Sequence, residues 1–516
     1  MATRRAFLTR RKIHSVIYCC NSTNVLVEQG RVNGKLNVDT NVQSYEQIPG
    51  PKGWPFLGTL PYYLLNGGLG NIFMNQIDLT RKYGPIWKEN IGTLRIVNLA
   101  DPELIEAMYR NENKYPKRID MKPWKEYREY RNKENALITL EGKGWHEIRR
   151  VISKLLLPPL QVDNYQGIVN DIITDMVSRL RYIRDTTNEN GRIPDMTNEL
   201  YKWSMETVFM ILFETRMGCL ENQIADGPQQ FIKSIHKMFD SGQIMFVASP
   251  KLFRKYNLKP WRTHVEAWDY IFKYAKETMD ERVEYLKNLS EEEISQTKGL
   301  ITRILASDKM TDQEIYANMC ELLLAGVDTT SNTLAWAMYE LSRNLDIQEQ
   351  LHNEVTSAIG RHHIASSKDI NNLPIVKNII KETLRMYPVV SANNRIFEDD
   401  VVIGGYEIPK NTIVGSLQYV LGHDEKIFPE PDRFIPDRWK RGEGTKASTF
   451  ASVPFGFGTR MCIGRRVAEL ELHLALIRIT QQFKITYLGK PNDKVKPVLR
   501  GLLAPGELLP IGLEDR

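Results

Sequence analysis

The segment Phe455-Gly-Phe-Gly-Thr-Arg-Met-Cys-Ile-Gly464 limits what this chain can fold into more than any other. It places one cysteine, Cys462, in a loop of glycines, and the helical pattern Arg465-Arg-Val-Ala-Glu-Leu-Glu-Leu472 follows at once. A thiolate is a strong, soft metal ligand, but it must be deprotonated and shielded. A helix N-terminus just after the sulfur favours negative charge there. Gly456, Gly458 and Gly464 let the backbone reach positive φ and pass close to a flat ligand. Arg460, two residues before the cysteine, can hold a carboxylate bidentately.

The remaining cysteines, Cys19, Cys20, Cys219 and Cys320, form no CxxC pair and no regular spacing. A disulfide framework and a zinc site are therefore not indicated, and a reducing compartment fits best. A net charge of +6 on 516 residues is too weak to argue for nucleic-acid binding. Residues 1–27 carry Arg4, Arg5, Arg10, Arg11 and Lys12 with several hydroxyls and no acid before Glu28. That is the composition of a mitochondrial transit peptide, expected over residues 1–35. The apolar run from about Ser15 to Cys20 is far shorter than the ~20 residues needed to cross a bilayer. Residues 36–58 are expected as a linker and proline-rich hinge, and 59–516 as the main domain.

Thr311-Asp-Gln-Glu314 is a capping box that opens a helix running to about Asn344. It is apolar on most sides and belongs in a core, and Glu321 and Asp328 argue against a membrane span. Within it lies Ala325-Gly-Val-Asp-Thr-Thr330. Glycine inside a helix costs ~1 kcal/mol, so Gly326 needs a reason, such as ligand approach. Hydroxyls at Thr329 and Thr330 can bond back to the helix and open a kink that admits water. The stretch Leu373–Pro388 is a second core helix, with Glu382 and Arg385 spaced to pair. Trp145 and Arg149 stand four apart on a third helix and together can bind a carboxylate. Asn71–Tyr83 reads as a helix, Ile86–Leu99 as a strand pair, and Val401–Ile408 with Thr412–Leu417 as a hairpin. The apolar and basic residues mixed along Phe231–Leu258 suit a membrane surface.

A thiolate beside a carboxylate-binding arginine is the arrangement expected around haem iron. The cysteine segment resembles the haem-binding loop FxxGxRxCxG of the cytochrome P-450 family, with Phe455, Gly458, Arg460, Cys462 and Gly464 at its fixed positions. Ala325–Thr330 is similar to the family's (A/G)Gx(D/E)TT, Glu382–Arg385 to its ExxR, and Trp145 with Arg149 to its WxxxR. The resemblance covers roughly residues 48 to 512. It implies a mainly α fold with a small β region, one large helical domain enclosing haem b. Cys462 is then the axial ligand of the iron, and Arg460, Trp145, Arg149, Arg395 and Phe455 bind the cofactor. Thr329 hydrogen-bonds dioxygen and its water, and Asp328 lies on the proton route. Glu382, Arg385 and Arg433 form a structural triad bracing the cysteine loop, and Leu324, Val327, Val389 and Leu502 line the substrate cavity.

The implied reaction is monooxygenation of a lipophile, a sterol, secosteroid, ecdysteroid or xenobiotic, with O2. Lys377 and Lys381 form a basic stripe, Arg465 and Arg466 follow the thiolate, and such a face steers an acidic partner. The run after Cys462 resembles mitochondrial members of the family. That implies electrons from a [2Fe–2S] ferredoxin with its NADPH reductase, and peripheral contact with the matrix face of the inner membrane. A haem-thiolate isomerase or peroxide-using enzyme, and a non-catalytic haem sensor, are the alternatives; the first should lack the Asp328–Thr329 pair.

Overall fold

The computed structural model describes residues 42–187, 191–440, 442 and 448–516. The expected transit peptide lies outside them. The helices that position the site are α1 (Gly142–Leu156), α2 (Gln166–Thr187), α3 (Met196–Phe213), α4 (Asp226–Val247), α5 (Lys259–Lys287), α6 (Asp312–Arg343), α7 (Pro374–Met386) and α8 (Arg465–Gln482). The strands are shorter: β1 (Ile86–Ile91), β2 (Leu94–Leu99), β3 (Asn393–Ile396), β4 (Val401–Ile403), β5 (Tyr406–Ile408), β6 (Ile413–Ser416), β7 (Phe483–Tyr487), β8 (Pro497–Arg500), β9 (Leu502–Pro505) and β10 (Ile511–Asp515). The expected mainly helical architecture with a small β region is what the chain adopts.

Helix α6 organises the molecule. Its 32 residues correspond to ~48 Å of helix, the width of a large domain. It starts where the capping box places it: Glu314 N–H donates to Thr311 Oγ1 at 3.2 Å, and Thr311 N–H donates to Glu314 Oε2 at 2.7 Å. Its first half, including Met319, Leu323, Leu324 and Val327, packs in one hydrophobic core with α1, α3, α4 and α5. Its second half, Leu334 to Leu341, packs in another with α2, α7 and α8. Between the two lies an unbroken polar run, Asp328-Thr-Thr-Ser-Asn-Thr333. The helix continues through it, and the hydroxyls are satisfied by donating to the preceding turn: Thr329 Oγ1 to Ala325 O at 2.7 Å, Ser331 Oγ to Val327 O at 2.7 Å, and Thr333 Oγ1 to Thr329 O at 2.8 Å. Among the described residues no helix is long and apolar enough to cross a membrane.

The main sheet has the order β1-β2-β6-β3, with β2 and β6 parallel and the other pairs antiparallel. This corrects the expected hairpin between 401–408 and 412–417. The first segment closes on itself as β4–β5, and β6 pairs with β2 and β3 instead. The expected hinge at 48–58 is also not free. Lys88 N–H donates to Pro49 O at 2.8 Å, Ile48 is buried, and a Cβ at Gly50 would lie 2.0 Å from Lys88 O. Only glycine lets this segment lie against β1 so closely.

Candidate haem-thiolate site

The cysteine loop is held by its own backbone. Cys462 N–H donates to Phe455 O at 2.8 Å, Met461 N–H to Gly458 O at 3.2 Å and Gly456 N–H to Val453 O at 2.8 Å. Gly456 and Gly458 have φ of 70° and 76°, the left-handed region that the turn requires. Gly464 differs from the expectation: it is the N-cap of α8 with φ −87°, and its amide hydrogen-bonds the sulfur, which favours the thiolate. Cys462 is solvent-accessible, yet protein surrounds it closely enough for burial to push its thiol pKa up. The sulfur thus faces an interior space rather than bulk solvent. Arg149 and Arg465 act against the burial and stabilise the anion.

Around this sulfur the expected carboxylate binders are brought together, with different partners from those foreseen. Trp145 and Arg149 do not act as a pair. Arg149 Nη2 donates to Met461 O at 2.6 Å and so braces the cysteine loop. Trp145, buried, stacks instead under Arg460, whose guanidinium lies 3.9 Å from a ring centroid. Arg460 also donates to Pro116 O at 2.8 Å and Leu140 O at 3.1 Å, and lies 3.1 Å from Glu141. Arg395 donates to Glu112 Oε1 at 2.5 Å and to Phe457 O at 3.1 Å. Phe455 packs against the core under Arg465, 5.5 Å from ring centroid to guanidinium.

Arg118, between β2 and α1, joins this group without having been foreseen; only its basic neighbour in Lys117-Arg118 marks it in the sequence. Its pKa is lowered by burial and by Arg395, and raised by Glu141, Glu321 and Cys462. Burial, then Arg118, lowers Arg460 to about 9, and burial lowers Arg149 to about 10. Arg460 Nη1 is buried with no hydrogen-bond partner among the described residues. Four guanidinium groups crowded beside two carboxylates, Glu112 and Glu141, call for more negative charge. The two propionates of haem, with a thiolate aimed at the iron, fit that demand.

On α6 the accessible face is not the one expected. Leu324 and Val327 are buried in the core. Ala325 is exposed and Thr329 partly so, one turn apart in a helix whose neighbouring positions are mostly buried. Gly326 is a glycine for packing, not ligand approach: a Cβ there would lie 2.7 Å from Val208 Cγ2 on α3, and Ser204 Oγ donates to its carbonyl at 3.2 Å. Val389 is buried, with its carbonyl accepting from Leu503 N–H at 2.8 Å, while Val390 is 37% exposed. Leu502 lines a cleft of about 480 Å³, with both apolar and charged side chains in its walls, that reaches Asp328. Asp328 is buried, and neither carboxylate oxygen has a hydrogen-bond partner of good geometry among the described residues. Burial pushes it up to about 7, with the Tyr201 hydroxyl acting against the shift.

The bracing triad forms with one replacement. Arg385 donates to both oxygens of Glu382, at 2.8 and 3.0 Å, inside the core. The third member is Arg438, whose Nε donates to Glu382 Oε1 at 2.9 Å. Arg433 is 68% exposed and pairs with Glu430; only its backbone carbonyl touches the triad, accepting from Arg385 at 3.2 Å. The sequence holds near-copies, Pro431-Asp-Arg-Phe434 and Pro436-Asp-Arg-Trp439, and only the second points inward. Trp439 Nε1 and Ile435 N–H complete the shell of Glu382 at 2.9 and 3.0 Å.

Lys377 and Lys381 on α7 both act on the buried His473 of α8, so they share a face with that helix. Lys381 and the first two residues of α8, Arg465 and Arg466, are exposed and Lys377 half-buried. Arg465 donates to Glu469 at 2.9 Å and Arg466 to the carbonyl of Leu157.

The sequence profile of the family Cytochrome P450 matches residues 48–508. Cytochrome P450 27C1 of Danio rerio is 37% identical over 478 residues, 92% of this chain and 88% of the relative. The mitochondrial 1,25-dihydroxyvitamin D(3) 24-hydroxylase of Rattus norvegicus is 36% identical, covering 93% of this chain and 91% of its own length. The mitochondrial sterol 26-hydroxylase of Mus musculus is 37% identical, covering 90% and 89%. With the thiolate loop, the guanidinium cluster and the Asp328–Thr329 pair in one fold, the chain belongs to the cytochrome P450 family and is a haem-thiolate monooxygenase.

Proposed function

We propose that this protein hydroxylates a sterol or secosteroid in the mitochondrion, with O2 and electrons from a [2Fe–2S] ferredoxin reduced by its NADPH reductase. Relatives that match nine-tenths of the chain carry the names of mitochondrial hydroxylases of vitamin D and sterols. The observation that carries the reading is the buried acid Asp328, with no hydrogen-bond partner of good geometry among the described residues, near the accessible hydroxyl of Thr329 on an otherwise buried helix. An isomerase or a haem sensor has no use for a buried group that can release a proton near neutral pH.

Haem held by Cys462, with its carboxylates among Arg118, Arg149, Arg395 and Arg460, supplies the electron-transfer and O2 chemistry. Asp328 holds a proton at its carboxyl in a site shielded from bulk water. Thr329, already donating to Ala325 O, keeps lone pairs free to orient a water beside it. Ala325 and Val390 offer apolar surface to the substrate. The basic face of Lys377, Lys381, Arg465 and Arg466 supports docking of an acidic ferredoxin by long-range attraction.

A second surface supports peripheral binding to the matrix face of the inner membrane. Trp54 and Phe56 are 68% and 98% exposed, and Leu65, Leu252 and Tyr256 are exposed with Lys251 and Lys255. The β1–β2 turn joins these segments: Gly92 N–H donates to Leu57 O, and Thr93 N–H to Val247 O. Apolar side chains rimmed by lysines are what an anionic interface takes up.

Reconstitution with mitochondrial ferredoxin, its reductase and NADPH tests the reading. A panel of sterols and secosteroids should include ligands that change the haem spin state and gain one oxygen atom by mass spectrometry. Cys462→Ala should lose the thiolate signature in the carbon monoxide spectrum. Turnover that does not depend on ferredoxin, or no oxygenated product from any ligand that shifts the spin state, would overturn it.

A further inference from the structure

The cleft beside α6 contains a titratable group that the reaction outlined above leaves unused. The cleft lies between α3, α4 and the β8–β9 hairpin, encloses about 480 Å³, and has Asp328 among its lining residues. His236 of α4 stands in it. Its Nε2 is 3.9 Å from Asp328 Oδ1, and its side chain is 46% exposed, so it meets both solvent and the buried acid. It is the one basic side chain within ion-pair distance of Asp328 among the described residues. Its ring lies edge-on against Tyr201 of α3, with centroids 4.8 Å apart. The Tyr201 hydroxyl in turn accepts from Asn332 Nδ2 at 2.8 Å, tying this wall of the cleft to α6 one turn beyond Asp328.

We propose that this cleft is the proton entrance to the site, and that His236 is the positioning residue through which protons pass from bulk water to Asp328. The proposal rests on the reading of Asp328 as the proton-holding group. The step moves protons only. The imidazole takes a proton from solvent at one ring nitrogen and gives one up from Nε2 to Asp328 Oδ1. Imidazolium and carboxylate become neutral imidazole and carboxylic acid, and no electron moves. A gap of 3.9 Å exceeds a hydrogen bond, so a small turn of the half-exposed His236 ring brings the pair into contact for transfer.

The charges around the ring suit transfer rather than storage. Burial lowers the pKa of His236 from its ordinary 6.5; Asp240 on the same helix and Asp195 at the start of α3 act against that, and Arg500 of β8 adds to it. Lys233 and Glu507, one of each sign, also line the cleft. An imidazolium whose pKa burial has lowered gives its proton up readily, and the acid beside it, held near 7, takes it. A side chain there only to fill space beside Tyr201 would be replaced by glutamine without consequence.

Infrared difference spectroscopy of the haem-loaded protein tests this with neither substrate nor electron donor. At pH 6 the protonated Asp328 carboxyl should give a band that Asp328→Asn removes, and rapid mixing with D2O should shift it as the proton exchanges. His236→Gln should slow that exchange by about tenfold or more. His236→Glu, which can carry a proton where glutamine cannot, should restore it. Melting temperature and haem content report whether each variant folds. Exchange at the wild-type rate in His236→Gln, equal slowing in His236→Glu, or no Asp328-dependent band would each overturn the proposal. The monooxygenase reading fails on a different result, the absence of ferredoxin-dependent product, so the two are told apart.

Discussion

Glu382 and Asp328 are both buried carboxylates on helices of the core, and they are built in opposite ways. Glu382 accepts five hydrogen bonds, two from Arg385 and one each from Arg438, Trp439 and the Ile435 amide. Asp328 accepts none of good geometry among the described residues. A buried charge surrounded by donors ties the segments that supply them together, so it serves as a fixed strut. A buried acid left short of donors is held near neutrality by burial and can exchange its proton. The same residue chemistry therefore braces one part of the molecule and equips another to react, and the count of partners tells them apart.

The largest effect that would break this contrast is expected at the strut. Glu382→Ala leaves the guanidinium groups of Arg385 and Arg438 buried without their anion, and should cost ~3–5 kcal/mol. Thermal melting followed by haem absorbance should show a severe loss, or no haem-loaded protein at all. Arg433→Ala, on the exposed near-copy, should stay within ~0.5 kcal/mol of the parent. Equal losses in the two variants would return Arg433 to the triad.

Asp328→Asn comes next, and its sign is opposite. Asp328 rises from 3.8 to about 7 in the folded chain. Between those values the folded state holds a proton that the unfolded state has released. The stability from this group is therefore full below 3.8 and is lost as pH rises towards 7. Asparagine removes that slope. The variant should gain on the parent between pH 5 and pH 8, on the order of 1.4 kcal/mol for each unit of raised pKa. In reconstituted turnover the same variant should release more peroxide per NADPH consumed. Parallel stability–pH curves for the two proteins would show that Asp328 is ionised throughout.

Trp439→Phe is the finest test. It removes one of the five donors to Glu382 and keeps the ring, so it should cost about 1–2 kcal/mol. Thermal melting should show that loss without loss of the fold, because four donors still hold the carboxylate.

Much of this was legible in the chain itself. The span of α6 followed from the Thr311 capping box and the apolar pattern, both local signals. The thiolate loop and the Glu382–Arg385 pair followed from fixed short spacings. What went astray involved a choice between near-equivalent residues or a direction in space. Arg433 and Arg438 lie in matching tetrapeptides, and only the path of the chain after Pro436 turns one inward. Leu324 and Val327 are as apolar as a cavity wall needs to be, but the side of α6 left accessible at Ala325 and Thr329 was set by where α3 packs.

The sequence by itself determined which elements form and which residue types the site contains, because capping, periodicity and ligand spacing act within a few residues. Tertiary structure alone decided the partners: Arg460 over Trp145, Arg118 among the cations, Gly326 against Val208, and His236 beside Asp328. Those contacts join segments distant in the chain, and their energies depend on burial and on which charges share a low-dielectric space, quantities that exist only once the helices have packed.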